Sequence, residues 1–169
     1  MKTMRYTMIL LIALLSMNVN AQNETKKSPA VTVKKKLAGI NLEITYGQPS
    51  KKGRDIYGGL VPFGEVWRAG ANEATTFSVD RGVEINGQPL PEGKYALFIL
   101  PKKEEQWEVI FNKENQQWGA YNYDKKQDAL RVKVSPIEND LTEKLTYTIT
   151  DDGWVKIAWD TTRIEFQVE

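Results

Sequence analysis

VEINGQPLPEGKYALFILP, residues 83–101, concentrates the signals of antiparallel β structure in one run. Asn86-Gly87 separates Val83-Glu84-Ile85 from the next extended segment. Both central residues of a type I′ turn need positive φ, which Asn and Gly adopt at least cost, so this dipeptide predicts a two-residue hairpin. Pro91-Glu92-Gly93 is a second turn. Tyr95 to Leu100 is apolar on both parities, which predicts a central strand covered on both faces. Pro101 has no N–H to give to a ladder and ends it.

Outward from this run the chain continues in short alternating segments. Ile40, Leu42, Ile44 and Tyr46 alternate with Asn41, Glu43 and Thr45; Leu130, Val132 and Val134 alternate with Arg131 and Lys133. Leu145, Tyr147 and Ile149 alternate with threonines, and Ile164, Phe166 and Val168 with Arg163, Glu165 and Gln167. Val155, Ile157 and Trp159 share one face, and Asp151-Asp152-Gly153 supplies the turn before them. Strict alternation buries one face of each strand. With roughly eight to ten such strands and no long helical period, the expected fold is a single antiparallel β-sandwich, jelly-roll-like, over residues 31–169.

The N-terminus reads differently. Lys2 and Arg5 form a positive region, Met8 to Leu15 an apolar run too short to span a bilayer, and Val19-Asn20-Ala21 places small residues where a signal peptidase needs them. Residues 1–21 are therefore expected to be a signal peptide cleaved near Ala21, followed by a flexible leader over 22–30. The expected destination is the periplasm or the extracellular space, with no membrane span in the mature form. No Cys follows the apolar run, which excludes a thiol-anchored lipoprotein.

Composition removes whole classes of chemistry. The chain has no Cys and no His. Thiolate nucleophiles, disulfides, Ser-His-Asp triads and imidazole- or thiolate-ligated metals are excluded. No Asp-rich loop has calcium-binding spacing, so neither metal nor cofactor is expected. Without the signal segment, 21 basic side chains face 22 acidic ones, a balance with no electrostatic call on nucleic acid.

One segment breaks the alternation. Residues 47–72, GQPSKKGRDIYGGLVPFGEVWRAGAN, carry six glycines and two prolines. A connection of this length is commonly functional or disordered. Ile56, Tyr57, Leu60, Val61, Phe63, Val66 and Trp67 give it enough apolar surface to pack down. Phe77 and Val79 then set an inward parity that continues back through Thr75 to Glu73. A carboxylate near a core needs a partner. Arg68, with Arg54 second, is the nearest, so Glu73 is expected to be buried and paired with Arg68. That pair either pins the loop to the sheet or floors a pocket roofed by Tyr57, Phe63 and Trp67.

The run GRDIYGGLVPFGEVWRAGANEATTF with VEINGQPLPEGKYALFILP resembles the secreted bacterial family catalogued as domain of unknown function 2911. The resemblance runs from about Lys34 to Val168. It implies an exported β-sandwich and supplies no reaction, substrate or cofactor to carry over.

A second loop, Gln117-Trp118-Gly119-Ala120-Tyr121-Asn122-Tyr123-Asp124, is rich in aromatics and amides. Trp118, Tyr121 and Tyr123 could stack on sugar rings or close one end of the core. The leading expectation is a non-catalytic binding or interaction module using Trp67, Arg68, Asn72, Glu73, Tyr57 and Arg54. Its partner would be a small polar molecule, a glycan or a protein. The rivals are a hydrolase built on Glu73 with Glu65 or Asp55, as a glycosidase-like carboxylate pair, and a structural envelope protein.

Overall fold

The computed structural model describes residues 27–169. The expected signal peptide and most of the leader lie outside the described residues. Ten strands follow in order: β1 (Ala30–Leu37), β2 (Ile40–Gly47), β3 (Thr75–Val79), β4 (Val83–Ile85), β5 (Gln88–Leu90), β6 (Gly93–Leu100), β7 (Trp107–Asn112), β8 (Asp128–Val134), β9 (Ile137–Ile149) and β10 (Trp154–Gln167). A 3-10 turn at Lys125–Gln127 precedes β8.

Six strands form one antiparallel sheet in the order β1-β2-β3-β6-β7-β8. The β9–β10 hairpin packs across it, and β4–β5 extends that second layer. Ile85 bridges Val168, while Glu84 and Glu169 exchange N–H···O bonds of 2.8 and 3.0 Å. The architecture is an open antiparallel sandwich. The β4–β5 turn has the expected type I′ signs, with φ of 48° at Asn86 and 74° at Gly87.

The alternating residues meet between the layers. Leu42, Ile44, Phe77, Leu97, Ile99, Val109 and Phe111 from the sheet face Leu145, Tyr147, Val155, Ile157, Ile164 and Phe166. The strand expected to be covered on both faces, β6, is so. Ala96 and Phe98 turn outward and, with Ala74 and Ile110, form a second, smaller apolar cluster under Val66, Leu100, Ala120 and Tyr123.

The long loop packs down at one end of the sandwich. Ile56 and Val61 are buried, Trp67 stacks on Trp159 with centroids 5.8 Å apart, and Tyr57 lies 4.7 Å from Trp107. Thr75 pairs with Leu97, and the next place beside β6 is taken by Trp67, which exchanges bonds of 2.8 and 2.9 Å with Ile99. Residues 68–74 are therefore an excursion out of the ladder, closed where the Thr75 N–H bonds the Arg68 carbonyl at 3.2 Å.

The buried tyrosines make the fold alkali-sensitive. The Tyr147 hydroxyl donates to the Ala69 carbonyl at 2.7 Å, and burial holds its ionisation well above the ordinary phenol value. Burial, with the Asp160 charge second, also raises Tyr57. In the unfolded chain both phenols ionise near pH 10, so above that pH the unfolded state sheds protons that the native state keeps. Stability is then expected to hold to about pH 9.5 and to fall steadily above about pH 10. Urea unfolding between pH 8 and 11 checks it. Tyr147→Phe should be less stable at pH 8 and should show a shallower alkaline decline.

Candidate functional site

The excursion of residues 68–74 joins the two loops that the sequence presents as separate. The Ala74 N–H bonds the Gln117 carbonyl at 2.9 Å, the Gly119 N–H bonds the Asn72 carbonyl at 3.0 Å, and Glu73 bridges Trp118. Arg68, Asn72 and Glu73 thus come alongside Trp118, Gly119 and Tyr121.

This pairing corrects the expected burial of Glu73. Thr75 is buried as its parity requires, but Glu73 is exposed, and no ion pair joins it to Arg68. The inward–outward alternation holds only while a strand stays in its ladder. Residues 72–74 have left β3 to pair with 117–119, and Asn72, at φ 65°, turns the chain there. The Arg68 Nε is buried with no hydrogen-bond partner among the described residues.

Beside this junction, on the outer face of the large sheet, lies an open cavity of about 540 Å³. Its floor is Thr45, Thr76 and Ala74, with Lys94 at one side. Glu73 and the 115–118 segment form the wall, and Ala30, Tyr46 and Gly47 close one end. Asn115 is fixed by a 2.9 Å bond from Nδ2 to the Lys94 carbonyl, and Gln117 by a 2.8 Å bond from Nε2 to the Glu114 carbonyl. The Gln117 Oε1 is buried with no hydrogen-bond partner among the described residues. Trp118 stands at the edge, 54% exposed.

The other sequence-derived candidates are dispersed. Tyr57 and Trp67 pack against the main core, and neither lines the cavity. Phe63 is partly exposed and lies over Gly58. Arg54 serves its own turn, donating to the Ser50 carbonyl at 2.6 Å and the Lys51 carbonyl at 2.9 Å. Asp55 and Glu65 are exposed and do not line the cavity; of the three carboxylates only Glu73 does. Asn72 donates to the Ser28 carbonyl at 3.0 Å and so anchors the start of the described chain.

Tyr123 belongs to a polar network instead of an exposed platform. Its hydroxyl donates to Asp128 Oδ2 at 2.7 Å and accepts from Arg131 Nη2, and its ring meets Phe98 edge-on. Arg131 also binds Glu108 at 2.6 Å and Asp128 at 2.7 Å, and Asn112 donates to Asp128 at 2.8 Å. Burial and Asp128 push the Tyr123 phenol up to about 12. Deleting the hydroxyl would leave a shielded carboxylate and guanidinium each short of a partner. Tyr123→Phe is expected to cost about 1–3 kcal/mol. Tyr121→Phe, at a ring 81% exposed, should stay within about 0.5 kcal/mol. Parallel thermal melts test the contrast.

Sequence reading missed Lys94, Asn115, Gln116 and Thr76 as cavity residues. Lys94 and Thr76 follow strand parity, which shows their side of the sheet. Nothing local shows that a loop some twenty residues away arches over that side.

Fold and junction define the class: an all-β sandwich whose two irregular loops interlock beside an outer-face groove. The chain belongs to the family described as Protein of unknown function (DUF2911), whose profile matches residues 28–168. No curated protein and no solved structure matches it.

Proposed function

We propose that this chain is an exported binding module whose ligand, a glycan or another small polar molecule, lies in the outer-face groove against Trp118. One observation carries the reading: the groove combines a part-exposed indole with a polar lining. Small-ligand sites pair apolar faces with a few fixed polar groups in about 300–1,000 Å³. Here Thr45, Thr76, Lys94, Asn115 and Glu73 supply the polar groups and Trp118 the face. Sugars are recognised by this mixture, hydroxyls bonded and ring faces stacked. Export is inferred from the N-terminal segment of the sequence. The non-catalytic reading is favoured over the hydrolase because one carboxylate of the three faces the groove, and two-carboxylate hydrolysis needs a pair.

A thermal-shift screen of the purified protein against neutral and acidic oligosaccharides tests it. A ligand at about 100 times its Kd adds roughly 2.7 kcal/mol of stability, a shift of several degrees. Trp118→Ala should abolish the shift while leaving the melting temperature of the free protein within a few degrees. No shift with any sugar, or a shift that survives Trp118→Ala, overturns the reading.

A further inference from the structure

Arg68 is a partly buried cation to which no described residue offers an acceptor. On the same outer face Arg131 has Glu108 and Asp128, and Lys102 binds Glu108 at 2.9 Å. Among the described residues Arg68 has no ion-pair partner, and its Nε is buried without a hydrogen-bond partner there. Its neighbours on the chain explain the position. Trp67 faces the main core while Val66 joins the outer cluster, so alternation sends Arg68 outward, over the second loop.

What it meets there is Gly119. A Cβ at that residue would lie 3.4 Å from Arg68 Nη1 and 3.0 Å from Tyr121 Cε2, and the φ of 66° favours glycine as well. The guanidinium tip and the exposed tyrosine ring therefore converge over bare backbone. Arg68 does not line the groove described above; it sits beyond the Glu73–Trp118 bridge.

We propose that Arg68, Gly119 and Tyr121 form a seat for an oxyanion: a carboxylate, sulfate ester or phosphate ester carried by a ligand. A guanidinium that has lost part of its hydration and gained no partner is in an unfavourable state, which a counter-anion relieves. Its planar fork matches two oxygens of such a group through the terminal nitrogens. Tyr121 flanks the bound group with a ring that can contact the rest of the ligand. The seat stands independently of the groove's ligand.

The shielded Nε–H is the reporter. Arginine side-chain ¹H–¹⁵N spectra of the purified protein are recorded during titration with sodium phosphate, sodium sulfate, oligogalacturonate and neutral galactan oligosaccharide, with sodium chloride holding ionic strength constant. The Arg68 Nε–H signal, assigned by its loss in Arg68→Lys, should move saturably with at least one oxyanion and not with chloride or neutral sugar. Arg68→Lys, which keeps the charge but not the fork, should weaken that binding at least tenfold, read from the Tyr121 ring signals. Saturation by oligogalacturonate alone assigns a carboxylate, and saturation by phosphate or sulfate alone assigns an ester. A drift that only tracks chloride, or affinity unchanged in Arg68→Lys, overturns the seat. If Arg68→Lys fails to fold, the Nε–H signal is assigned through its bond correlations to the Arg68 side-chain carbons, and the wild-type titration against chloride decides. Neutral galactan binding read at Trp118 reports on the groove separately.

Discussion

Trp159→Ala is expected to lower the unfolding free energy by about 3–5 kcal/mol, the range for truncating a buried indole. Trp159 is fully buried, stacks on Trp67 and donates from Nε1 to the Glu143 carbonyl at 3.3 Å. Its removal opens a cavity under Trp67, which ties the end of the long loop to β6 through bonds with Ile99 in both directions. The loss should therefore appear twice. Urea midpoints fall, and amide exchange at Ile99 and Thr75 speeds up beyond what the global change accounts for. Trp159→Phe keeps a ring over Trp67 and should recover a substantial part of the loss. A cost below about 1.5 kcal/mol would show that the site collapses freely and that Trp159 does not hold the loop.

Gly47→Ala should cost about 3 kcal/mol or more, an extreme of the overpacking range, because the obstacle is backbone and cannot swing away. A Cβ on Gly47 would sit 2.0 Å from the Ala71 carbonyl oxygen, and the Ala71 N–H bonds the Gly47 carbonyl at 3.1 Å. The two chain segments cross in contact, so an added methyl drives the excursion of residues 68–74 away from β2. The groove, which Gly47 and Glu73 both line, should deform with it. Gly53→Ala is the matched control: its φ is 69°, but nothing lies within 4 Å of the added Cβ. That change carries only the left-handed backbone penalty, roughly 1–2 kcal/mol. Equal losses at the two positions, measured by denaturant titration, would refute steric crossing as the cause.

The contrast between these glycines shows how far the sequence can be read. Both stand in the same glycine-rich segment, and nothing local separates the one that a later stretch of the loop crosses from the one that faces solvent. Strands were legible wherever alternation persisted, as in β2, β8 and β10, because burial of one face imposes a period of two. The Asn86-Gly87 hairpin was legible because its turn demands residues that tolerate positive φ. Alternation misled at Glu73, where the chain had already left its ladder. Tyr123 stands in an aromatic loop, but nothing in that loop shows that its hydroxyl bonds Asp128 and Arg131 of β8.

By itself the sequence determined the all-β class, the double covering of β6, the packed state of the 47–72 loop and the absence of Cys- and His-based chemistry. These follow from composition and from contacts between near neighbours, where side-chain period maps directly onto burial. Only the tertiary structure decided that Trp67 completes the row beside Ile99, that residues 72–74 pair with 117–119, and that Thr76, Lys94 and Asn115 share a groove. Those facts rest on backbone hydrogen bonds between segments far apart in the chain. Every amino acid but proline offers the same N–H and C=O, so the sequence carries no local mark of which distant partner each will find.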